Sequence, residues 1–224
     1  MVTLLALTVA LQEPKLEPYQ LVLLKHAPNP PMYGKNLMAV YQKRHLDRLE
    51  DMWQQGTAIA VGPLHSSEYA GLAVIKAPTP EAAKAMFSDD PYVKDGFMTV
   101  DVLTWYFQNS FKKAPKFLDI EPVWFGLLET PPNAPKYSKE KSAEIQAGHM
   151  ANLTKMWNAG VLAIAGPFGN GDHRRGVVIF WSKDEKQIRK AVAEDAAVKA
   201  GRLKLNLMQW YTGKGTMPPQ PAPK

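Results

Sequence analysis

The sequence predicts an α+β protein made of two consecutive copies of one βαββαβ unit. Residues 19–63 align without gaps on residues 123–167, and 16 of these 45 positions are identical. After one inserted residue, residues 71–106 align on residues 176–211 with 7 identities in 36 positions. Identities at a nearly constant offset indicate that one structural unit has been duplicated within the chain.

Each copy begins with a strand and a long helix. Short apolar runs at 20–25 and 124–129 predict the strands, and a loop rich in Pro and Asn follows each of them. Helices are predicted over 35–55 and 139–158. In the first of them an apolar stripe recurs at helical spacing, through Met38, Tyr41, His45, Leu49 and Met52.

The remaining elements complete the unit. A β-run follows each long helix, and a third strand is predicted at 71–76 and at 176–181. A second helix starts at Thr79-Pro80-Glu81, and Asp90 is expected to end it, as Asp195 ends its counterpart. The last strand alternates, with one face formed by Met98, Val100 and Val102 in copy one and by Leu203, Leu205 and Leu207 in copy two.

The order βαββαβ matches the ferredoxin-like motif, in which both helices cover the same face of the sheet. The other face must also be covered. Two tandem copies predict that the two sheets pack together, or close into a barrel, as an intramolecular pseudo-dimer.

The predicted domains span 19–106 and 123–211, joined by a linker at 107–122. Residues 1–18 form an apolar segment and a linker. The segment resembles the apolar part of a secretory signal but lacks a basic start, so cytoplasmic and exported locations both stay open. It is too short to span a bilayer. The tail at 212–224 is Pro-rich, and its stretch at 216–224 is expected to be disordered.

Composition excludes several kinds of site. The chain has no cysteine, which excludes disulfides, thiolate metal sites and a cysteine nucleophile. The net charge of +6 is spread along the chain without a block of five like charges, so no nucleic-acid partner is expected. His65 and the pair Asp172-His173 are isolated, whereas a metal site needs three or four convergent ligands.

The spaced pattern H-x3-L-x2-M-W-x2-G-x5-G-P, then D-P-Y-V-K-x-G, then W-Y, resembles the YCII-related family. Both copies carry much of it, and together they cover nearly everything from Tyr19 to Tyr211. In copy one the pattern comprises His45, Leu49, Met52, Trp53, Gly56, Gly62, Pro63, Asp90, Pro91, Tyr92, Val93, Lys94, Gly96 and Trp105.

The resemblance implies a dimeric α/β-barrel fold and lyase- or isomerase-like chemistry on small molecules. It also implies an acid–base pair of His and Asp, which falls here on His45 with Asp90 and on His149 with Asp195. Copy two departs from the pattern because Ala196 and Ala197 replace the Pro and Tyr that follow the aspartate in copy one.

The histidines have two interpretations. A His on the apolar stripe of a helix faces the sheet and needs a hydrogen-bond partner. A carboxylate partner makes it a suitable general base, while a backbone carbonyl makes it a structural core residue. Four tryptophans, at 53, 105, 157 and 210, either line a pocket or belong to the core.

Three functional hypotheses follow. The first is a cofactor-free lyase or isomerase that binds a small molecule between helices and sheet in each half. The second is a non-catalytic ligand-binding or assembly domain with structural histidines. The third takes from other dimeric α/β barrels the possibility of haem binding or cofactor-free oxygenation. The expected partners are a small-molecule ligand and at most a second copy of the chain, with no membrane span.

Overall fold

A computed structural model describes residues 16–221, so the predicted N-terminal apolar segment lies almost entirely outside the described residues. The first half contains β1 (Glu17–His26), α1 (Lys35–Gln54), β2 (Ala58–His65), β3 (Tyr69–Ile75), α2 (Pro80–Ala85), α3 (Pro91–Lys94) and β4 (Met98–Phe107). The second half contains β5 (Ile120–Glu129), α4 (Lys139–Asn158), β6 (Leu162–Pro167), β7 (Arg174–Phe180), α5 (Glu185–Ala193), α6 (Ala196–Lys199) and β8 (Lys204–Gly213).

The eight strands form one curled antiparallel sheet in the order β4-β1-β3-β2-β8-β5-β7-β6. The halves meet where Leu64 pairs with Trp210 and His65 with Gln209. At the other end of the sheet a bridge joins Trp105 to Phe168. Because these two seams occupy equivalent positions in the repeat, the sheet closes on itself, and the predicted α+β barrel of two ferredoxin-like repeats is confirmed.

The seams explain a glycine shared by both copies. A Cβ built on Gly62 would lie 1.8 Å from the carbonyl oxygen of Tyr211, and one built on Gly166 would lie 2.0 Å from that of Tyr106. No side chain fits at such distances. Glycine is therefore required where the end of one half's second strand approaches the last strand of the other half.

Alternation along the last strands divides their side chains between a helix-side core in each half and one barrel core shared by both halves. Val100 and Val102 pack on the helix side, and the Leu residues of β8 do the same in the second half. Leu103, Trp105 and Phe107 point instead into the barrel, where they join side chains from both halves. The Trp105 and Phe107 rings stack with centroids 3.8 Å apart. Each half of the curled sheet is thus covered by the other half, and buried apolar side chains from both halves fill the barrel interior.

The second helix of each copy differs from its predicted form, because it is split in two. In the first copy α2 ends at Ala85, and Asp90 opens the separate helix α3. Asp90 has an extended backbone, with φ −63° and ψ 128°, as expected for a residue that precedes a proline. The prediction that the aspartates end a helix is wrong, since Asp90 and Asp195 are both N-caps.

The Pro-rich tail also differs from its prediction. The indole Nε1 of Trp181 donates to the carbonyl oxygen of Pro218 at 2.8 Å, and Gln220 Nε2 donates to that of Gly160 at 2.7 Å. Thr216 is buried. The expected disorder is therefore wrong for this stretch up to residue 221, which packs on the second half. No helix within 16–221 is long and apolar enough to cross a membrane.

Candidate functional site

The structure brings His45 and Asp90 together. His45 lies midway along α1, and its Nδ1 is 2.6 Å from Oδ2 of Asp90. Both side chains are nearly removed from solvent, with exposed fractions of 11% and 2%. A short contact between an imidazole nitrogen and a buried carboxylate fixes the ring orientation and favours a proton on Nδ1.

Local sequence explains why the Asp90 carboxylate lies at this place. As the N-cap of α3 it accepts a hydrogen bond from the backbone N–H of Tyr92 at 3.0 Å, through Oδ1. Its second oxygen, Oδ2, remains available for His45. One carboxylate therefore caps a helix and holds a histidine, and both of its oxygens have a partner although the side chain is buried.

The second half repeats the arrangement. His149 Nδ1 is 2.8 Å from Oδ2 of Asp195, and Oδ1 accepts from the N–H of Ala197 at 2.8 Å. The amide of Asn152 approaches the same Oδ2 at 3.5 Å. Burial alone raises the pKa of Asp195, but the hydrogen bond and charge of His149, together with the helix N–H groups, outweigh it and lower that pKa.

The second ring nitrogen of each histidine keeps contact with solvent. Within residues 16–221, the one fully buried side-chain nitrogen or oxygen without a hydrogen-bond partner is Nε1 of Trp210. Neither His45 nor His149 bonds through Nε2 in this part of the chain, so those atoms are not fully buried. An imidazole with Nδ1 bound to a carboxylate and Nε2 accessible can exchange a proton at Nε2.

A cavity of about 480 Å³ lies beside the first pair. Its walls come from α1 and from the segment around α3: Tyr41, Arg44, Asp47, Arg48, Asp89, Pro91, Lys94 and Asp95. These residues flank His45 on its helix and Asp90 along the chain, although neither His45 nor Asp90 is itself a lining residue. The cavity is open and lies between two helical segments, whereas the sequence predicted a ligand site between helices and sheet.

Aromatic rings surround the first pair. The rings of His45 and Tyr92 meet edge to face at 5.3 Å, and Phe97 contacts Tyr92, Tyr41 and Tyr33. The Tyr41 hydroxyl donates to Asp95, which raises the pKa of Tyr41 to about 12 and keeps the phenol protonated. The sequence had marked Tyr41 only as part of the apolar stripe.

The other residues that the sequence suggested for a pocket or a metal site are structural or do not form a group. Trp105 and Trp210 are fully buried in the barrel core, whereas Trp53 is half-buried and Trp157 exposed. No three His, Asp or Glu side chains in residues 16–221 are grouped so as to hold a metal ion. The arginines and lysine of the cavity were missed, although Arg44 directly precedes His45 in the sequence.

Comparison with protein-family models finds a match in the first half of the chain. The family model of the YCII-related domain matches residues 22–106. No curated protein matches the chain.

Two solved structures illustrate the structural likeness. A heme-binding protein from Thermus thermophilus is 12% identical, with 88% of this chain and 91% of that chain covered and a TM-score of 0.52. A mutant chlorite dismutase from Candidatus Nitrospira defluvii is 10% identical, with 94% of each chain covered and a TM-score of 0.57. Identities this low show the fold alone. The chain therefore matches the YCII-related domain over residues 22–106, and its overall fold is similar to that of these two α/β proteins.

Proposed function

We propose that the protein is a small-molecule enzyme of the lyase or isomerase type, in which His45 carries protons and Asp90 positions it. The observation that carries the proposal is the buried Nδ1–Oδ2 contact of 2.6 Å beside a cavity large enough for a small ligand. His149 and Asp195 have the same geometry and are the corresponding pair of the second half.

The pair suits redox-neutral proton transfer. Asp90 accepts the Nδ1–H of His45, which leaves the lone pair on Nε2 to take a proton from a substrate carbon next to a carbonyl. The carboxylate then stabilises the imidazolium that forms. In an isomerase Nε2 returns the proton to a different substrate atom, and in a lyase it delivers the proton to the leaving group. Neither step requires an oxidant or a reductant.

One of the similar structures is that of a heme-binding protein, so haem binding is a second candidate function. The residues of this chain do not fit a haem. A haem is a large apolar disc that needs an apolar slot next to its iron ligand. The barrel interior is filled by side chains such as Trp105, Phe125 and Trp210, which are fully buried. The cavity beside His45 is walled mainly by charged side chains. No part of the proposed reaction therefore involves haem.

A non-catalytic role for the pairs is the alternative that a specific observation favours. Asp90 and Asp195 each cap a short helix and tie it to the long helix through the histidine. Such a tie orders α3 and α6 without any reaction. In that case the domain binds a ligand or another chain, and the histidines serve its stability.

Solvent-proton exchange tests the catalytic proposal. The protein is incubated in D2O with a panel of small unsaturated and aromatic keto and carboxylic acids, and deuterium uptake at carbon is followed by 1H NMR. We expect wild type to catalyse uptake in at least one compound and His45→Gln to abolish it. The glutamine amide can still donate to Asp90, so this variant removes the proton carrier while retaining a donor for the carboxylate.

Two controls accompany the exchange experiment. His149→Gln makes the same change in the second half, and thermal unfolding of each variant shows whether it remains folded. Exchange that persists in folded His45→Gln contradicts a proton-carrying role for that residue. If no compound of the panel exchanges and both variants only lower the melting temperature, the non-catalytic alternative replaces the proposal.

A further inference from the structure

The cavity beside His45 holds cationic groups without partners. Within residues 16–221, neither Arg44 nor Lys94 forms an ion pair or a side-chain hydrogen bond, and Arg48 donates one hydrogen bond to the carbonyl oxygen of Met86. Two of the three acidic wall residues are engaged. Asp47 is paired with Lys43, and Asp95 accepts a hydrogen bond from the Tyr41 hydroxyl.

The charge available to a ligand is therefore positive. Three cationic side chains and three carboxylates line the cavity, but Lys43 neutralises Asp47 from outside it. This leaves one excess positive charge and two uncommitted donor groups, on Arg44 and Lys94. A guanidinium and an ammonium group that line a small cavity are suited to bind a carboxylate.

The second half lacks the same cavity walls. The positions equivalent to Arg44, Asp47 and Arg48 hold Gly148, Ala151 and Asn152. A Cβ built on Gly148 would lie 2.6 Å from the Cβ of Ala196, the residue equivalent to Pro91. Two walls that stand apart in the first half therefore touch in the second, at Gly148 and Ala196.

We propose that the protein binds a small organic anion in the first half only, beside His45, with Arg44 and Lys94 as its charge partners. The proposal rests on the proposed function, because it names the substrate class and the working half of that site. The cavity volume of about 480 Å³ lies within the range of small-molecule sites. The pair in the second half keeps its helix-tying contact, but its helical walls touch at Gly148.

Histidine NMR with a matched pair of probes tests the proposal. The full chain is labelled with 15N-histidine, and the ring signals of His45 and His149 are assigned from the glutamine variants of each. Benzoate and benzamide, which have nearly the same shape but differ in charge, are titrated at pH 7. We expect benzoate to shift the His45 signal in a saturable manner and to leave His149 unmoved, with benzamide binding about tenfold more weakly or worse.

Substitutions at the exposed cations complete the test. Arg44→Gln and Lys94→Gln should each weaken benzoate binding by about two- to fivefold, as expected for the loss of one exposed charged partner. Lys199→Gln makes the same change at the position equivalent to Lys94 and should leave binding unchanged. The cationic side chains are exposed, so the variants are expected to fold normally.

The outcomes separate this proposal from the proposed function. Equal shifts of both histidines, equal affinity for benzamide, unchanged binding in Arg44→Gln and Lys94→Gln, or the absence of a saturable His45 shift would each overturn the anion site. Binding of benzoate at His45 without any deuterium exchange in the acid panel overturns the catalytic role and supports the site. Exchange that depends on His45 but occurs equally well with neutral amides overturns the site and supports the catalytic role.

Discussion

Substitutions of Asp90 distinguish the two roles of its carboxylate, which caps α3 and accepts a hydrogen bond from His45. Asp90→Ala removes the N-cap of α3, which costs about 1 kcal/mol, and leaves the buried His45 Nδ1 without its charged partner, which costs about 1.5–3 kcal/mol. Together these losses predict that the free energy of unfolding falls by about 2.5–4 kcal/mol. Asp90→Asn keeps an oxygen for the Tyr92 N–H, and its amide can donate to the other tautomer of His45, so the expected loss is about 1–2 kcal/mol.

Urea unfolding at pH 7, followed by tryptophan fluorescence, measures both losses. The second half provides matched variants, because Asp195→Asn turns an amide NH2 toward both His149 and the amide of Asn152, which lies 3.5 Å from that oxygen. We expect this variant to lose about 1 kcal/mol more than Asp90→Asn, since one donor is left without an acceptor. If the free energy of unfolding falls equally in Asp90→Ala and Asp90→Asn, the reasoning that the cap and the His45 contact make separate contributions is refuted.

Two further predictions concern pH and the barrel seams. The pKa of Asp195 is lowered in the folded protein, so its ionised form contributes stability at pH values above the unfolded-state pKa of about 3.9, and this contribution is lost as the pH falls through the lower folded value. Asp195→Asn should therefore reduce the acid-induced drop in stability between pH 5 and 2 as measured by urea midpoints, and an identical drop in the variant contradicts the assignment. Gly166→Ala should destabilise the protein by more than about 3 kcal/mol, because its Cβ would lie 2.0 Å from the Tyr106 carbonyl oxygen. Gly34→Ala, with nothing within 4 Å of the new Cβ, should melt near wild type, and similar melting temperatures for the two variants would show that the seam tolerates a side chain.

Much of the fold could be predicted because the evidence for it is local and repeated. Alternation in the last strands marks one face of each strand, and the shared positions Gly62 and Gly166 belong to the repeat, although only the structure shows that they lie at the seams. The chain lacks a third layer to cover either sheet, so two tandem copies must cover each other. That inference requires only the pattern of apolar residues and the duplication.

The site was predicted less completely. Helical spacing places His45 on a buried stripe, but it does not show which oxygen of Asp90 the ring meets. The position of the aspartate at a helix start was missed, because the break before α3 depends on a short Asx cap that apolar periodicity does not reveal. The same break occurs before Ala196, where no proline signals it.

The sequence by itself determined that the chain is a duplicated βαββαβ unit, that its sheets cover each other and that each half carries a histidine and an aspartate at equivalent positions. Only the tertiary structure decided that each pair is in contact, that the tail packs on the second half and that the helical walls touch at Gly148, where the first half has Arg44 beside a cavity. The physical reason is distance along the chain. Periodicity reports which face of an element is buried, whereas a contact or a cavity depends on how closely two remote segments approach.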